Sequence, residues 1–124
     1  MDMKIELIPI PVADVDRAKA FYVEKIGFHD DYDVKVHEGL RFVQLTPPGS
    51  ACSMVMGIGI TPMKPGLVDA YQMVVADVRK LREELIAKGV EMSEIDEQPW
   101  GVLPSFHDPD GNKWTFQELP PRQS

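Results

Sequence analysis

What the chain lacks narrows the field first. Of its 124 residues one is cysteine, Cys52. That is too few for an intramolecular disulfide or a thiolate metal cluster, and a reducing, cytoplasmic setting is expected. No apolar run approaches the roughly 20 residues that span a bilayer. The start, MDMKIELIPIPVADVDR, has no basic stretch ahead of an apolar one, so neither a membrane segment nor a signal peptide is expected. Basic residues are in the minority, 13 against 20 acidic, for a formal net charge of −7. That balance argues against a nucleic-acid partner and gives no long-range attraction for anionic ligands. What remains, 44% hydrophobic and 27% charged, is the composition of an ordinary globular protein. The length suits one domain able to bury about two-thirds of its unfolded surface.

What is present is a pattern stated twice. Val12-Ala13-Asp14-Val15 recurs as Val75-Ala76-Asp77-Val78, an offset of 63 residues. After the first copy Val15, Ala18 and Tyr22 fall at helical spacings; after the second Val78, Leu81 and Leu85 do the same. Asp14 and Asp77 stand at helix N-cap positions, and Gly27 and Gly89 at the C-terminal stops. Thr46-Pro47-Pro48-Gly49 and Asp108-Pro109-Asp110-Gly111, 62 residues apart, read as turns between strand-like runs. Each half is therefore expected to run strand, helix, then several strands, with helices against one side of a mixed sheet. The expected organisation is a single domain over 1–119, with one module at 4–57, a Gly/Pro-rich link at 58–66, a second module at 67–119, and a tail at 120–124.

The run Val12-Ala13-Asp14-Val15-Asp16-Arg17-Ala18-Lys19-Ala20-Phe21-Tyr22, then Ile26-Gly27-Phe28, and the closing Phe106-His107-Asp108-Pro109-Asp110-Gly111-Asn112 resemble motifs of the vicinal oxygen chelate superfamily. That group includes glyoxalase I, bleomycin-resistance proteins, fosfomycin-resistance enzymes and extradiol dioxygenases. The resemblance implies an α+β fold of two βαβββ modules, with a curved mixed sheet around a cleft and helices on the outer face. It also implies a homodimer in many members, some of which build the cleft across subunits.

In metal-using members of that family four side chains, drawn from His, Glu and Gln, hold a divalent ion that polarises a substrate oxygen. The matching positions here are Leu7, Ser53, Ala70 and Thr115. None is a usual ligand, and sliding one position by a residue turns its side chain to the other sheet face. The resemblance therefore carries the fold without the metal-dependent reactions; no metal and no cofactor are expected. Alternation along the strands adds Val55, Gln72 and Gln117 to the cleft-facing set. Trp100, in a Pro/Gly-flanked loop, is a candidate cover for its mouth. An apolar wall carrying a few neutral polar groups is the usual lining of a small-molecule site. The expected function is metal-free binding of a small molecule. The alternative is a lyase or dioxygenase-type enzyme with displaced metal or acid–base residues, for which Glu6, His37, Asp69, His107 and Glu118 are the candidates.

Overall fold

The computed structural model describes residues 1–99 and 101–118; Trp100 and the tail 120–124 lie outside the described residues. The first half runs β1 (Leu7–Pro9), α1 (Val15–Ala20) continued by a wider π-helical turn (Phe21–Ile26), β2 (His29–His37), β3 (Leu40–Thr46) and β4 (Ser53–Ile58). The second runs β5 (Tyr71–Val74), α2 (Val78–Ala87), β6 (Glu97–Gln98), β7 (Gly101–Val102), β8 (Ser105–His107) and β9 (Lys113–Gln117). The sheets are ordered β1-β4-β3-β2 and β5-β9-β8, with β6 and β7 a separate short pair. In each half the first strand lies parallel to the last. This is the duplicated plan that the internal repeat announces.

The helix signals work as the chemistry requires. Asp14 accepts the backbone N–H of Arg17, and Asp77 that of Lys80, each at 3.0 Å. Gly27 ends the first helix at φ +95°, a left-handed conformation that favours glycine. Between them the helix widens, for the N–H of Gly27 reaches back to the carbonyl of Tyr22 at 2.9 Å. The strands have their own glycine requirement at Gly57, where an added Cβ would lie 1.8 Å from the Arg41 carbonyl oxygen.

The halves differ in one connection. Pro9 and Asp14 are five residues apart, whereas Val74 and Asp77 are three. The pairing register absorbs this difference: Leu7 sits opposite Ser53, and Gln72 sits opposite Thr115. Gln72 thus occupies in the second half the sheet position that Leu7 occupies in the first. Ala70 lies ahead of β5, exposed.

Both halves share one core. From α1 Val15 and Ala18, and from the π-helical turn Tyr22, are buried, joined by Val43, Leu45, Met54 and Met56 of the first sheet and Phe106, Trp114 and Phe116 of the second. The Tyr22 ring stacks on Phe28 at 5.3 Å and meets Trp114 edge-on at 6.3 Å, while Phe21 packs on Phe106 at 5.9 Å. The first half's helix is therefore wedged against the core face of the second half's sheet. Each of the buried Val, Leu, Met and Phe side chains contributes roughly 1.5–3 kcal/mol through burial.

The Asp108–Asn112 turn clamps the junction. Asp108 Oδ1 accepts the N–H groups of Asp110 and Asn112, both at 2.9 Å. Its Oδ2 accepts Tyr22 Oη and Asn112 Nδ2, both at 2.8 Å. Asn112, fully buried, also donates to the Pro11 carbonyl at 2.8 Å and accepts the Val68 N–H at 3.2 Å. Asp110 Oδ1 accepts the N–H of Ala13 at 3.1 Å. The closing motif of the sequence is thus structural. Among the described residues no helix is long and apolar enough to cross a membrane.

Candidate functional site

Each sheet has a core face and an open face, and strand alternation decides which residues appear where. In β4, Met54 and Met56 enter the core, so Ser53 and Val55 turn the other way, beside Leu7 and Pro9 of β1. In β9, Trp114 and Phe116 enter the core, so Thr115 and Gln117 turn the other way, beside Gln72 and Val74 of β5. The structure therefore gathers the candidate residues into two clusters on two sheets. Leu7, Ser53 and Val55 form one; Gln72, Thr115 and Gln117 form the other. Trp100 falls outside the described residues.

The open face of the first sheet is unusually apolar for an exposed surface. Tyr32 and Val34 pair with Gln44 and Phe42 and so share their face, and with Val36 they remain 49–60% exposed. On the second sheet Val74 is likewise 64% exposed. Clustered apolar side chains of this kind mark an interaction surface.

A cavity of about 450 Å³ runs along the edge of β5 that faces away from β9. Ile26, Phe28, Met73, Leu81 and Phe116 give it apolar walls, the Pro47–Ser50 turn covers one side, and Gln72 supplies an amide. Its size and lining fall within the range of small-molecule pockets.

The four positions to which the family resemblance assigns metal ligation do not suit a divalent ion. Read by strand register they hold Leu7, Ser53, Gln72 and Thr115: Gln72 is of a type the family uses, but the other three, one alkyl group and two neutral hydroxyls, are not, and one amide alone does not hold a divalent ion. The alternative acid–base candidates are scattered. Asp69 and His107 are exposed, and His37 accepts the Gly39 N–H at 3.1 Å. Glu6 offers its backbone carbonyl to the Ser53 N–H at 2.8 Å, and Glu118 caps α2 by accepting the Val78 N–H at 2.8 Å. Among the described residues, no three His, Cys, Asp or Glu side chains come together as a metal site would require.

One set of polar contacts was not foreseen from the sequence. Asp31 lies at a register shift in the β2–β3 pairing and meets His29 Nδ1 at 2.7 Å. Its other oxygen is in contact with Thr46 Oγ1, which in turn lies 2.6 Å from Ser53 Oγ. The Thr46 hydroxyl foremost, then His29, holds the Asp31 carboxyl below its ordinary range. The one hint in the sequence is a pair of aspartates in a strand; nothing in it announces the bulge that turns the second toward Thr46.

A family model described as Glyoxalase/Bleomycin resistance protein/Dioxygenase superfamily matches residues 4–116. The chain is 27% identical to the uncharacterized protein YetH of Bacillus subtilis (strain 168), over 95% of this chain and all of that one. It is 30% identical to TnmS3, an antibiotic binding protein from Streptomyces sp. CB03234, with a TM-score of 0.88 over 96% of this chain and 98% of that one. A glyoxalase/bleomycin resistance protein from the same Streptomyces strain is 32% identical, with a TM-score of 0.81 over 92% and 99% of the two chains.

Proposed function

The chain belongs to the glyoxalase/bleomycin resistance protein/dioxygenase superfamily, and from that premise we propose that it is a cytoplasmic, metal-free small-molecule binding protein that works as a homodimer. The observation that carries this reading is its likeness, along nearly the whole of both chains, to an antibiotic binding protein. The ligand is held by apolar enclosure and by neutral polar groups: Ser53, Gln72, Thr115 and Gln117, with Leu7 and Val55 as wall. Such a lining suits a largely apolar molecule bearing a few hydrogen-bonding groups.

Support for the homodimer comes from the apolar side chains left exposed beside the two clusters. Both open faces turn away from the shared core; on the second sheet Gln72 and Val74 stand exposed, while on the first Ser53 and Val55 are already buried within the chain, at 8% and 5%, beside the exposed Tyr32 and Val34. A second copy that lays its second sheet over the first sheet of its partner encloses both clusters in one hollow and covers Tyr32, Val34 and Val74. Two-fold symmetry makes two such hollows, as an isologous interface requires.

The test is a thermal-shift screen of the purified chain against antibiotics and other small aromatic compounds, with light scattering for the mass in solution. A ligand at about 100 times its dissociation constant adds about 2.7 kcal/mol to folding stability, so the melting temperature climbs with concentration. Gln72→Leu and Thr115→Val lower that response while the unliganded melting temperature holds. A monomeric mass together with no response to any compound overturns the reading; stoichiometric binding of a divalent metal in the cleft replaces it with the enzyme reading.

A further inference from the structure

The contacts from His29 to Ser53 have only one consistent arrangement of protons. Asp31, an ionised carboxylate, has none to give, so both His29 Nδ1 and Thr46 Oγ1 must donate to it. The single hydroxyl proton of Thr46 is thereby used. The 2.6 Å contact between Thr46 Oγ1 and Ser53 Oγ then requires Ser53 to be the donor. The chain of donation runs from Ser53 to Thr46 to Asp31, and nothing but lone pairs remains on Ser53 Oγ. We infer that Ser53 is an acceptor-only contact, so that the site takes a neutral or cationic ligand presenting an O–H or N–H at that point and disfavours an ether, a carbonyl or an anion there.

Three further features support this assignment. Neutral imidazole protonated at Nδ1 and imidazolium both donate to Asp31, so either form of the ring leaves the direction of the chain unchanged. The depressed carboxyl of Asp31, held down first by Thr46 and then by His29, keeps the acceptor end ionised well into acid. An anionic oxygen placed against Ser53 would meet lone pairs backed by the Asp31 charge, an uncompensated contact that costs more than a lost neutral bond. The formal net charge of −7 adds no opposing attraction.

This inference rests on the small-molecule reading, and the experiment separates the two. The full chain is titrated with 2-naphthol, 2-methoxynaphthalene and 2-naphthoate at neutral pH, followed by backbone-amide NMR. Naphthol should shift the Ser53 resonance and bind about fivefold tighter than its methyl ether, the worth of one neutral hydrogen bond; naphthoate should bind more weakly still. Thr46→Val frees the Ser53 proton to donate, so the preference for naphthol over the ether should collapse, while Thr46→Ser should keep it. Carbon-detected titration of Asp31 gives a readout that needs no ligand: in Thr46→Val its pKa rises toward the ordinary carboxylate range. Equal binding of naphthol and ether, probes that bind without shifting Ser53, or an unaltered Asp31 titration in Thr46→Val overturns the assignment and leaves the small-molecule reading standing. Silence of all three probes up to their solubility limits overturns both.

Discussion

The phenol of Tyr22 donates to Asp108 Oδ2 at 2.8 Å and accepts from Trp114 Nε1 at 2.9 Å, so one side chain of the first half joins two of the second. All three residues are buried. Removing the hydroxyl leaves an indole N–H unpaired and the carboxylate one donor short. Tyr22→Phe is expected to lower stability by about 2 kcal/mol, read as a fall in urea midpoint with an unchanged slope. Burial first, and Asp108 after it, pushes the phenol well above its usual range. The unfolded chain therefore loses this proton first, and stability declines as pH rises past about 10. In Tyr22→Phe that part of the alkaline decline should be missing.

Asn112 allows a second test of the same junction. Its amide nitrogen serves the Pro11 carbonyl and Asp108, and its oxygen serves the Val68 N–H. Asn112→Asp keeps the shape but sets a carboxylate against two acceptors. A loss of about 3 kcal/mol or more is expected at pH 7, partly recovered at pH 5, where the new group regains a proton to donate. Chemical denaturation at the two pH values checks both the size and the recovery.

Asp33 governs the acid side. Arg41 binds it through two nitrogens at 3.0 and 2.8 Å, and Lys19 lies at 2.8 Å. Arg41 first, and Lys19 second, holds its carboxyl far below the ordinary value. The unfolded chain takes up the proton at a higher pH than the folded one. This contribution is therefore whole above about pH 4 and fades as pH falls toward the folded-state value. Asp33→Asn should show a shallower loss of stability between pH 4 and 2, measured by urea titration across that range.

The second helix depends on its cap. Asp77→Ala removes the acceptor for the Lys80 N–H and should cost about 1 kcal/mol. Asp77→Ser, which restores an acceptor, should regain most of it. Thermal unfolding of the two variants decides the matter.

The sequence was legible wherever a local rule controls the chain. Asp14 and Asp77 cap their helices, Gly27 stops one in the left-handed region, and the repeated order of strands appears in both sheets. Features set by long-range geometry were not legible. The two-residue difference between Pro9–Asp14 and Val74–Asp77 is absorbed in the sheet register, so Gln72 and not Ala70 stands opposite Thr115. The π-helical turn leaves no mark on the spacing of apolar residues, because Val15, Ala18 and Tyr22 keep α-helical steps and the wider turn begins only at Phe21. The contact of Asp31 with Thr46 arises from a register shift between strands, and its chemistry is invisible to motif reading. The two clusters of candidate residues follow from alternation along each strand; their separation onto different sheets follows from the shared core, which alternation does not describe.

The wedge of Phe21 and Tyr22 against Phe106, Asp108 and Trp114 also sets a timetable for synthesis. When the first half leaves the ribosome, the surface that must cover its helix has yet to be translated. Contacts between residues this far apart close late, and the growing chain carries an unsheltered aromatic ridge until β9 emerges. Emergence of β9, rather than completion of the first repeat, is then the event that permits native packing. Shortened chains ending before Lys113 should accumulate with chaperones instead of folding.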